Sequence, residues 1–394
     1  MQNFTFKCPT EIVFGRGAEE RVAEKLRTYG AKSVFIVYGG ESAKKSGLLP
    51  KIERNLTESG ITFQVIGGVK PNPRLSLVRE GVRLAIQAKS DFILAVGGGS
   101  VIDSAKAIAH GAANPATDVW DFWLGRQPLT KSLPVAVVLT LAAAGSETSD
   151  SAVLTDEDTH RKLGMNTPLN RPAIAFMNPE LTYSVPKKQL VSGVCDIMMH
   201  TMERYFTKVR EKNILTDRFA EALLTTVMDA LKVAEKNQTD YDAMSEILWA
   251  SSVSHSNFTE LGRLKDFSCH RLGHELSAMF DATHGATLTT IWPSWAKYVY
   301  RDDPARFAQF AEKLFGIEDG SDIERAEKGI EAMTDFFRSV QMPVNMKELL
   351  GRTLTDAEVE KLADLGTSGD TKKLGNFHPI GKKEAIAIYT LANR

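Results

Sequence analysis

The run Phe92-Ile93-Leu94-Ala95-Val96-Gly97-Gly98-Gly99-Ser100-Val101-Ile102-Asp103-Ser104-Ala105-Lys106 carries the strongest structural signal in the chain. Its unbroken apolar start is what a strand covered on both faces requires, and the glycines let the backbone turn tightly into a helix. The first N–H groups of such a helix and its dipole favour an anion, and a pyrophosphate fits there. The run lacks the G-x-G-x-x-G spacing and does not follow the first strand of a βαβ unit, so a glycine turn of purely structural use stays open beside the binding loop.

Working outward, 33–38 (SVFIVY), 62–66 (TFQVI) and 134–140 (PVAVVLT) read as further strands. Between them, 18–29 and 75–88 carry apolar residues at helical spacing, with Gly30 as a helix stop. Strands alternating with helices build a parallel sheet covered on both faces, an α/β arrangement. From about Pro186 the texture changes: 189–206, 217–235, 241–254 and 304–314 have helical periodicity, and β-branched alternation all but disappears. The two prolines of Asn178-Pro179-Glu180-Leu181-Thr182-Tyr183-Ser184-Val185-Pro186 resist helix continuation and mark the boundary. The expected division is an α/β domain over 1–185 and a helical domain over 186–394. The polar stretch 367–373 reads as a solvated loop, and no internal repeat is visible.

Length agrees with two domains, since 394 residues exceed what one hydrophobic core supports at about 150 residues per domain. Hydrophobic residues at 43% and charged residues at 25% exclude a disordered or fibrous chain. With 48 Lys plus Arg against 49 Asp plus Glu there is no basic excess for nucleic acid or anionic lipid, so a small, neutral partner is expected. The longest nearly apolar stretch, 133–145, is interrupted by Thr140 and is shorter than the ~20 residues of a membrane helix. The start, MQNFTFK, shows no secretory or transit pattern, and Cys8, Cys195 and Cys269 are too sparse for a disulfide framework. A cytoplasmic location with reduced thiols is expected.

A second glycine turn, Gly39-Gly40-Glu41-Ser42, follows 33–38, where an adenine ribose commonly lies in doubly wound folds. The glycines leave room for a 2′-phosphate, with Ser42, Lys44 and Lys45 as partners, whereas the Glu41 carboxylate would repel one. A structural glycine turn with a solvated lysine pair behind it stays equally open; read as a ribose site, the turn favours NADP(H) over NAD(H) by a narrow margin.

Of the eight histidines, three stand close together: His270 and His274, four apart and so on one helix face, and then His284. Upstream, Asp196-Ile197-Met198-Met199-His200 places a carboxylate and an imidazole at the same spacing in an apolar setting where ionisable groups need partners. Two such helices facing each other would enclose one cation. Three imidazoles with a carboxylate suit Fe²⁺ or Zn²⁺ and disfavour Mg²⁺ or Ca²⁺. His110, His160, His255 and His378 are read as structural, and so are the aromatics Phe258, Trp292 and Trp295, with a pocket wall as their alternative use.

Taken in order, the glycine run, Asp196-x-x-x-His200 and His270-x-x-x-His274-x9-His284-Gly285 resemble the iron-containing, or group III, alcohol dehydrogenases. Val69-Lys70-Pro71-Asn72-Pro73, Ala143-Ala144-Gly145-Ser146-Glu147 and Asn178-Pro179-Glu180-Leu181-Thr182 add to the likeness, which spans nearly the whole chain. Through Tyr38-Gly39-Gly40 and Met202-Glu203-Arg204-Tyr205-Phe206 it is most similar to the NAD(P)H-dependent butanol dehydrogenase and aldehyde reductase branch.

The resemblance implies a dehydroquinate synthase-like architecture: a Rossmann-like dinucleotide domain, an all-α metal-binding domain and one catalytic metal in the cleft between them. It implies that Asp196, His200, His270 and His284 bind the metal and that His274 lies near nicotinamide and substrate, where it is read as the catalytic proton relay, with a histidine that only orients its neighbours as the alternative. Gly97, Gly98, Gly99 and Ser100 would hold the pyrophosphate with support from Asp103, while Thr140, Leu141, Ser149, Lys162 and Asn72 would approach the cofactor. Leu141 and Ala143-Ala144-Gly145-Ser146 depart from the threonine-rich family pattern. The implied activity is hydride transfer between NAD(P)(H) and a primary alcohol or aldehyde, favouring aldehyde reduction, by a homodimer or larger assembly. Two alternatives share the fold: a metal- and NAD-dependent lyase of the dehydroquinate synthase type, which needs an anion clamp such as Lys265 and Arg271, and a non-catalytic nucleotide or metal sensor.

Overall fold

A computed structural model describes residues 1–143, 145–159, 161–209 and 211–394. The strands are β1 (Glu11–Phe14), β2 (Ser33–Tyr38), β3 (Thr62–Ile66), β4 (Phe92–Gly97), β5 (Val135–Leu139), β6 (Ser151–Asp156), β7 (Arg161–Asn166) and β8 (Ile174–Met177). The helices of the first half are α1 (Val22–Thr28), α2 (Ser42–Lys45), α3 (Leu48–Glu58), α4 (Leu75–Gln87), α5 (Gly99–Ala113) and α6 (Val119–Trp123). Then follow α7 (Lys187–Tyr205), α8 (Ile214–Ala234), α9 (Tyr241–His255), α10 (Ser268–Phe280), α11 (His284–Val299), α12 (Pro304–Phe315), α13 (Asp322–Ser339), α14 (Met346–Leu350), α15 (Asp356–Gly366) and α16 (Lys382–Ala392). No helix among the described residues is long and apolar enough to cross a membrane.

Six strands form a parallel sheet in the order β1-β8-β5-β4-β2-β3, and β6 with β7 makes an antiparallel hairpin. The apolar runs legible in the sequence are its centre: Val34 pairs with Phe92, Ile93 with Val135 and Ala136 with Ile174. Both faces are covered. Val34, Ile36, Leu94 and Val96 pack with Leu26, Leu49, Ile52 and Leu56 of α1 and α3, while Phe35 and Gly81 of α4 meet near Ile108 of α5. Each fully buried aliphatic side chain contributes about 1.5–3 kcal/mol. The chain leaves β2 toward β3 on one side and β4 toward β5 on the other, so the carboxyl ends of β2 and β4 flank the topological switch point, where such sheets bind ligands.

Strands β1, β6, β7 and β8 were not foreseen. β1 and β8 have four residues each, too short for periodicity to register, and β7 is a polar hairpin strand with exposed ends.

The chain forms two compact units, one made of Lys7–Pro186 with Val233–Ser256 and the other of Met1–Phe6, Lys187–Lys232 and Asn257–Arg394. The passage after Pro186 coincides with the double-proline boundary, but the segment carrying α9 departs from a division into 1–185 and 186–394. The reason is side-chain pairing: Trp249 meets Phe14 of β1 edge-on at 6.5 Å, and Arg16 stacks over the Tyr241 ring at 3.9 Å. In the helical unit, Trp292 and Trp295 are fully buried among Phe206, Phe307, Phe310 and Phe377, and Phe258 packs on Phe6 and Phe219. The 367–373 stretch is a solvated turn except at Thr367, which is buried and bonds the Ala363 carbonyl at 2.7 Å.

Candidate metal centre and dinucleotide loop

Helix α7 is buried continuously from Leu190 to Tyr205, so Asp196, His200 and Glu203, spaced one turn apart, meet protein rather than solvent. Helix α10 supplies His270 and His274, and α11 begins at His284. A Cβ on Gly285 would stand 2.2 Å from the Ser192 carbonyl oxygen, so glycine there is what lets the start of α11 lie against α7.

Three imidazole nitrogens surround one carboxylate oxygen. Oδ1 of Asp196 lies 3.2 Å from Nδ1 of His200, 3.7 Å from Nε2 of His270 and 3.8 Å from Nε2 of His284. Donor atoms of Asp196, His270 and His284 all fall within 4.8 Å of one another. The partners of the rings favour the same reading: His200 donates from Nδ1 to the Asp196 carbonyl at 2.9 Å, and His270 is held at Nδ1 by Glu203. Both rings therefore turn Nε2 inward, 3.1 Å apart, which is how outer partners orient imidazoles around a cation. The donor set fits a divalent metal.

The electrostatics agree. Burial works against the charged form of Asp196, yet the neighbouring His200 and His284 hold it well below the usual carboxylate range. Burial also disfavours a charged His270, but Glu203 and Asp196 outweigh it and raise that ring to about 9, so the pocket attracts positive charge. His200 is pushed down by burial.

His274 joins this cluster, its ring centroid 5.2 Å from that of His284 and 6.3 Å from that of His270. Glu203 was not singled out as a site residue from the sequence. It also accepts the backbone N–H of Cys269 at 2.6 Å and of His270 at 3.2 Å, and its sequence signals are its place in Met202-Glu203-Arg204-Tyr205-Phe206 and a carboxylate one turn beyond a candidate ligand. Of the histidines read as structural, His110 bonds Ser132 and Asn170, His378 bonds Asp302 and His255 is buried. His160 lies outside the described residues, as does Ala144. Lys265 pairs with Glu260 at 3.2 Å and Arg271 is exposed, so no anion clamp faces these histidines from those two residues.

In the sheet unit, the two glycine turns lie where the switch point requires. Gly97 ends β4, Gly98 is the N-cap of α5 with no side chain capping the helix, and Gly99 and Ser100 form its first turn. Gly39 and Gly40 follow β2, with Gly39 beside Val101, and Ser42 starts α2. An uncapped helix start between two parallel strand ends fits a dinucleotide phosphate. Thr140 donates its N–H to the Gly97 carbonyl at 3.1 Å, and Leu141 stands against Gly98. Lys162 donates to Asn72 Oδ1 at 2.9 Å, and Asn72 adopts φ +59. Asp103 does not bond the glycine turn by its side chain; it accepts from Ser146 Oγ at 2.6 Å and from the Val153 N–H at 2.9 Å.

Comparison with known proteins matches residues 9–179 to the iron-containing alcohol dehydrogenase model and 190–393 to the C-terminal model of the same family. The chain belongs to the iron-containing alcohol dehydrogenases. This iron-containing alcohol dehydrogenase is 35% identical over 392 residues to NADH-dependent butanol dehydrogenase A of Clostridium acetobutylicum, covering 99% of each chain. It is 34% identical to the NADPH-dependent aldehyde reductase YqhD of Escherichia coli over the full length of both. The crystal structure of NADH-dependent butanol dehydrogenase A from Thermotoga maritima superposes with a TM-score of 0.95 at 35% identity, covering 100% of this chain and 99% of that one. Family membership makes the protein a metal-dependent oxidoreductase and does not favour the lyase or sensor readings.

Proposed function

We propose that this alcohol dehydrogenase transfers a hydride between NAD(P)(H) and a primary alcohol or aldehyde, in the manner of a butanol dehydrogenase, with aldehyde reduction the favoured direction. The observation that carries this reading is the grouping of Asp196, His270 and His284 donor atoms within 4.8 Å of one another, with His200 Nε2 3.1 Å from His270 Nε2 beside them. These four residues would hold Fe²⁺ or Zn²⁺. A bound cation there supplies Lewis-acid stabilisation of the negative charge that develops on a carbonyl oxygen during reduction, and the reduced nicotinamide supplies the hydride.

The chain's own residues do the rest. Asp196, His200, His270 and His284 would supply the protein ligands of a catalytic rather than a closed structural metal. Glu203 orients His270, and His274 would hold the proton that the product alcohol takes up. Gly97, Gly98, Gly99 and Ser100 bind the pyrophosphate, and Asn72, Thr140, Leu141, Ser149 and Lys162 orient the nicotinamide half. Gly39, Gly40 and Ser42 receive the adenine ribose. Here the Glu41 carboxylate lies 3.6 Å from Lys44 Nζ, which offsets part of its charge and supports NADP(H) over NAD(H) by a narrow margin. A cytoplasmic setting and self-association into a homodimer or larger assembly rest on the family likeness.

The test combines elemental analysis of freshly purified protein with oxidation of NADPH and NADH by butanal. One equivalent of iron or zinc and turnover abolished by chelation are expected; full turnover of metal-free protein removes the Lewis-acid role. His284→Ala should lower metal content and turnover together.

A further inference from the structure

Helix α5 begins at the glycine turn and carries Asp103 and Lys106 one turn apart. Lys106 is entirely buried, and all three of its donors are used: Nζ bonds Ser146 Oγ at 2.8 Å, the Ser151 carbonyl at 2.8 Å and the Ser149 carbonyl at 3.4 Å. Ser146 Oγ in turn donates to Asp103 at 2.6 Å, and Asp103 accepts the Val153 N–H. The chain from 146 to 153 is thereby stitched to one face of α5.

The same loop is held from its other side. Arg171 bonds the Thr148 carbonyl, Glu147 accepts from Ser252 at 2.6 Å and Ser251 at 3.3 Å, and Thr148 Oγ1 donates to the Ser252 carbonyl at 2.8 Å. Gly145 enters the loop at φ +65, where a Cβ would stand 2.3 Å from the Ser251 carbonyl oxygen. Apolar packing would hold a loop with less desolvation. An ammonium group adds register, because each of its N–H bonds demands an acceptor at one place.

We infer that Lys106 is a positioning residue. It locks the loop bearing Ser149 to the helix that starts at the pyrophosphate glycines, so that the nicotinamide half of the cofactor is held at a fixed spacing from its phosphates. Lys106 acts through Ser146 and the Ser149 and Ser151 carbonyls. The inference rests on the assignment of Ser100 and Ser149 to the dinucleotide made above.

The experiment measures affinity of the purified metal-loaded enzyme for NADH, NADPH and ADP-ribose, which lacks the nicotinamide. Lys106→Met is expected to lose about tenfold affinity for the reduced dinucleotides, the effect of one or two hydrogen bonds to a charged group, and to keep ADP-ribose affinity within about threefold. Its metal content should equal wild type, and its KM for cofactor should rise more than its kcat falls. Ser146→Ala, a gentler change, should show the same selective loss at about threefold, and the double variant should be no worse than Lys106→Met. Unchanged affinity for the reduced dinucleotides in Lys106→Met, or equal loss for all three ligands, overturns the inference. If Lys106→Met does not fold, Ser146→Ala binding like wild type overturns it. Wild-type protein that binds none of the three refutes instead the dinucleotide reading on which it rests.

Discussion

Glu203 holds the Nδ1 side of His270, and the Nε2 side of the same ring then lies 3.7 Å from Asp196 Oδ1. One carboxylate thus sets which nitrogen a metal would meet. Glu203→Ala should weaken metal binding by about 10- to 100-fold, the usual effect of removing such an orienting partner, while Glu203→Gln, which retains an acceptor, should fall between. Zn²⁺ titration of chelator-stripped protein measures this. Equal affinity in Glu203→Ala and wild type would show that the ring orients without it.

His274 stands beside the candidate ligands, one turn after His270. His274→Ala should therefore keep its metal while kcat falls by about 10²- to 10⁴-fold, the range expected for a lost proton-transfer group. The pH–rate profile should change shape as well. A profile identical to wild type would remove His274 from proton transfer whatever the loss in kcat.

Glu41 lies 3.6 Å from Lys44 Nζ and is itself exposed. A carboxylate near a 2′-phosphate interacts through water at about 1 kcal/mol, so Glu41→Gly should shift the kcat/KM ratio toward NADPH by about fivefold, and Lys44→Ala should shift it toward NADH. A ratio unmoved by both substitutions would place the ribose elsewhere.

His110 provides a pH test of the sheet unit. The side-chain amide of Asn170 donates to the carbonyls of Asp150 and Met165, which leaves its oxygen to accept from His110 Nε2 at 2.8 Å. Burial pushes the ring down to about 4, assisted by the nearby Lys106 charge and opposed by Asn170. The unfolded chain binds this proton near pH 6.5 and the folded chain only near pH 4, so the ring's contribution is complete above pH 6.5 and is lost as the pH falls to 4. The loss is on the order of 3 to 4 kcal/mol at about 1.4 kcal/mol per unit. His110→Gln should flatten the fall in Tm over that range, and parallel Tm curves for variant and wild type would contradict the assignment.

Much of this was legible in the residues. The buried run before Gly97, the helix stop at Gly30 and the four-residue spacings in Asp196-x3-His200 and His270-x3-His274 depend on backbone geometry within a few residues, and each appears where that geometry demands. Asn72 and Lys162 illustrate the opposite case. Nothing between 72 and 162 tells that one will bond the other, because the contact forms only when the β6–β7 hairpin docks on the segment at Pro73 and Arg74, where the Thr155 N–H bonds the Pro73 carbonyl at 2.8 Å.

Local spacing determined which side chains share a face: Asp196 with His200, His270 with His274, and the glycines at a strand end. Tertiary packing decided which faces meet. It brought the start of α11 against Ser192, gave His270 to Glu203, drew α9 to the sheet unit and placed Lys106 under the loop from 146 to 151. The helical period is a property of the backbone alone, whereas the partner of a buried charge is chosen by the balance of desolvation and pairing across the folded chain.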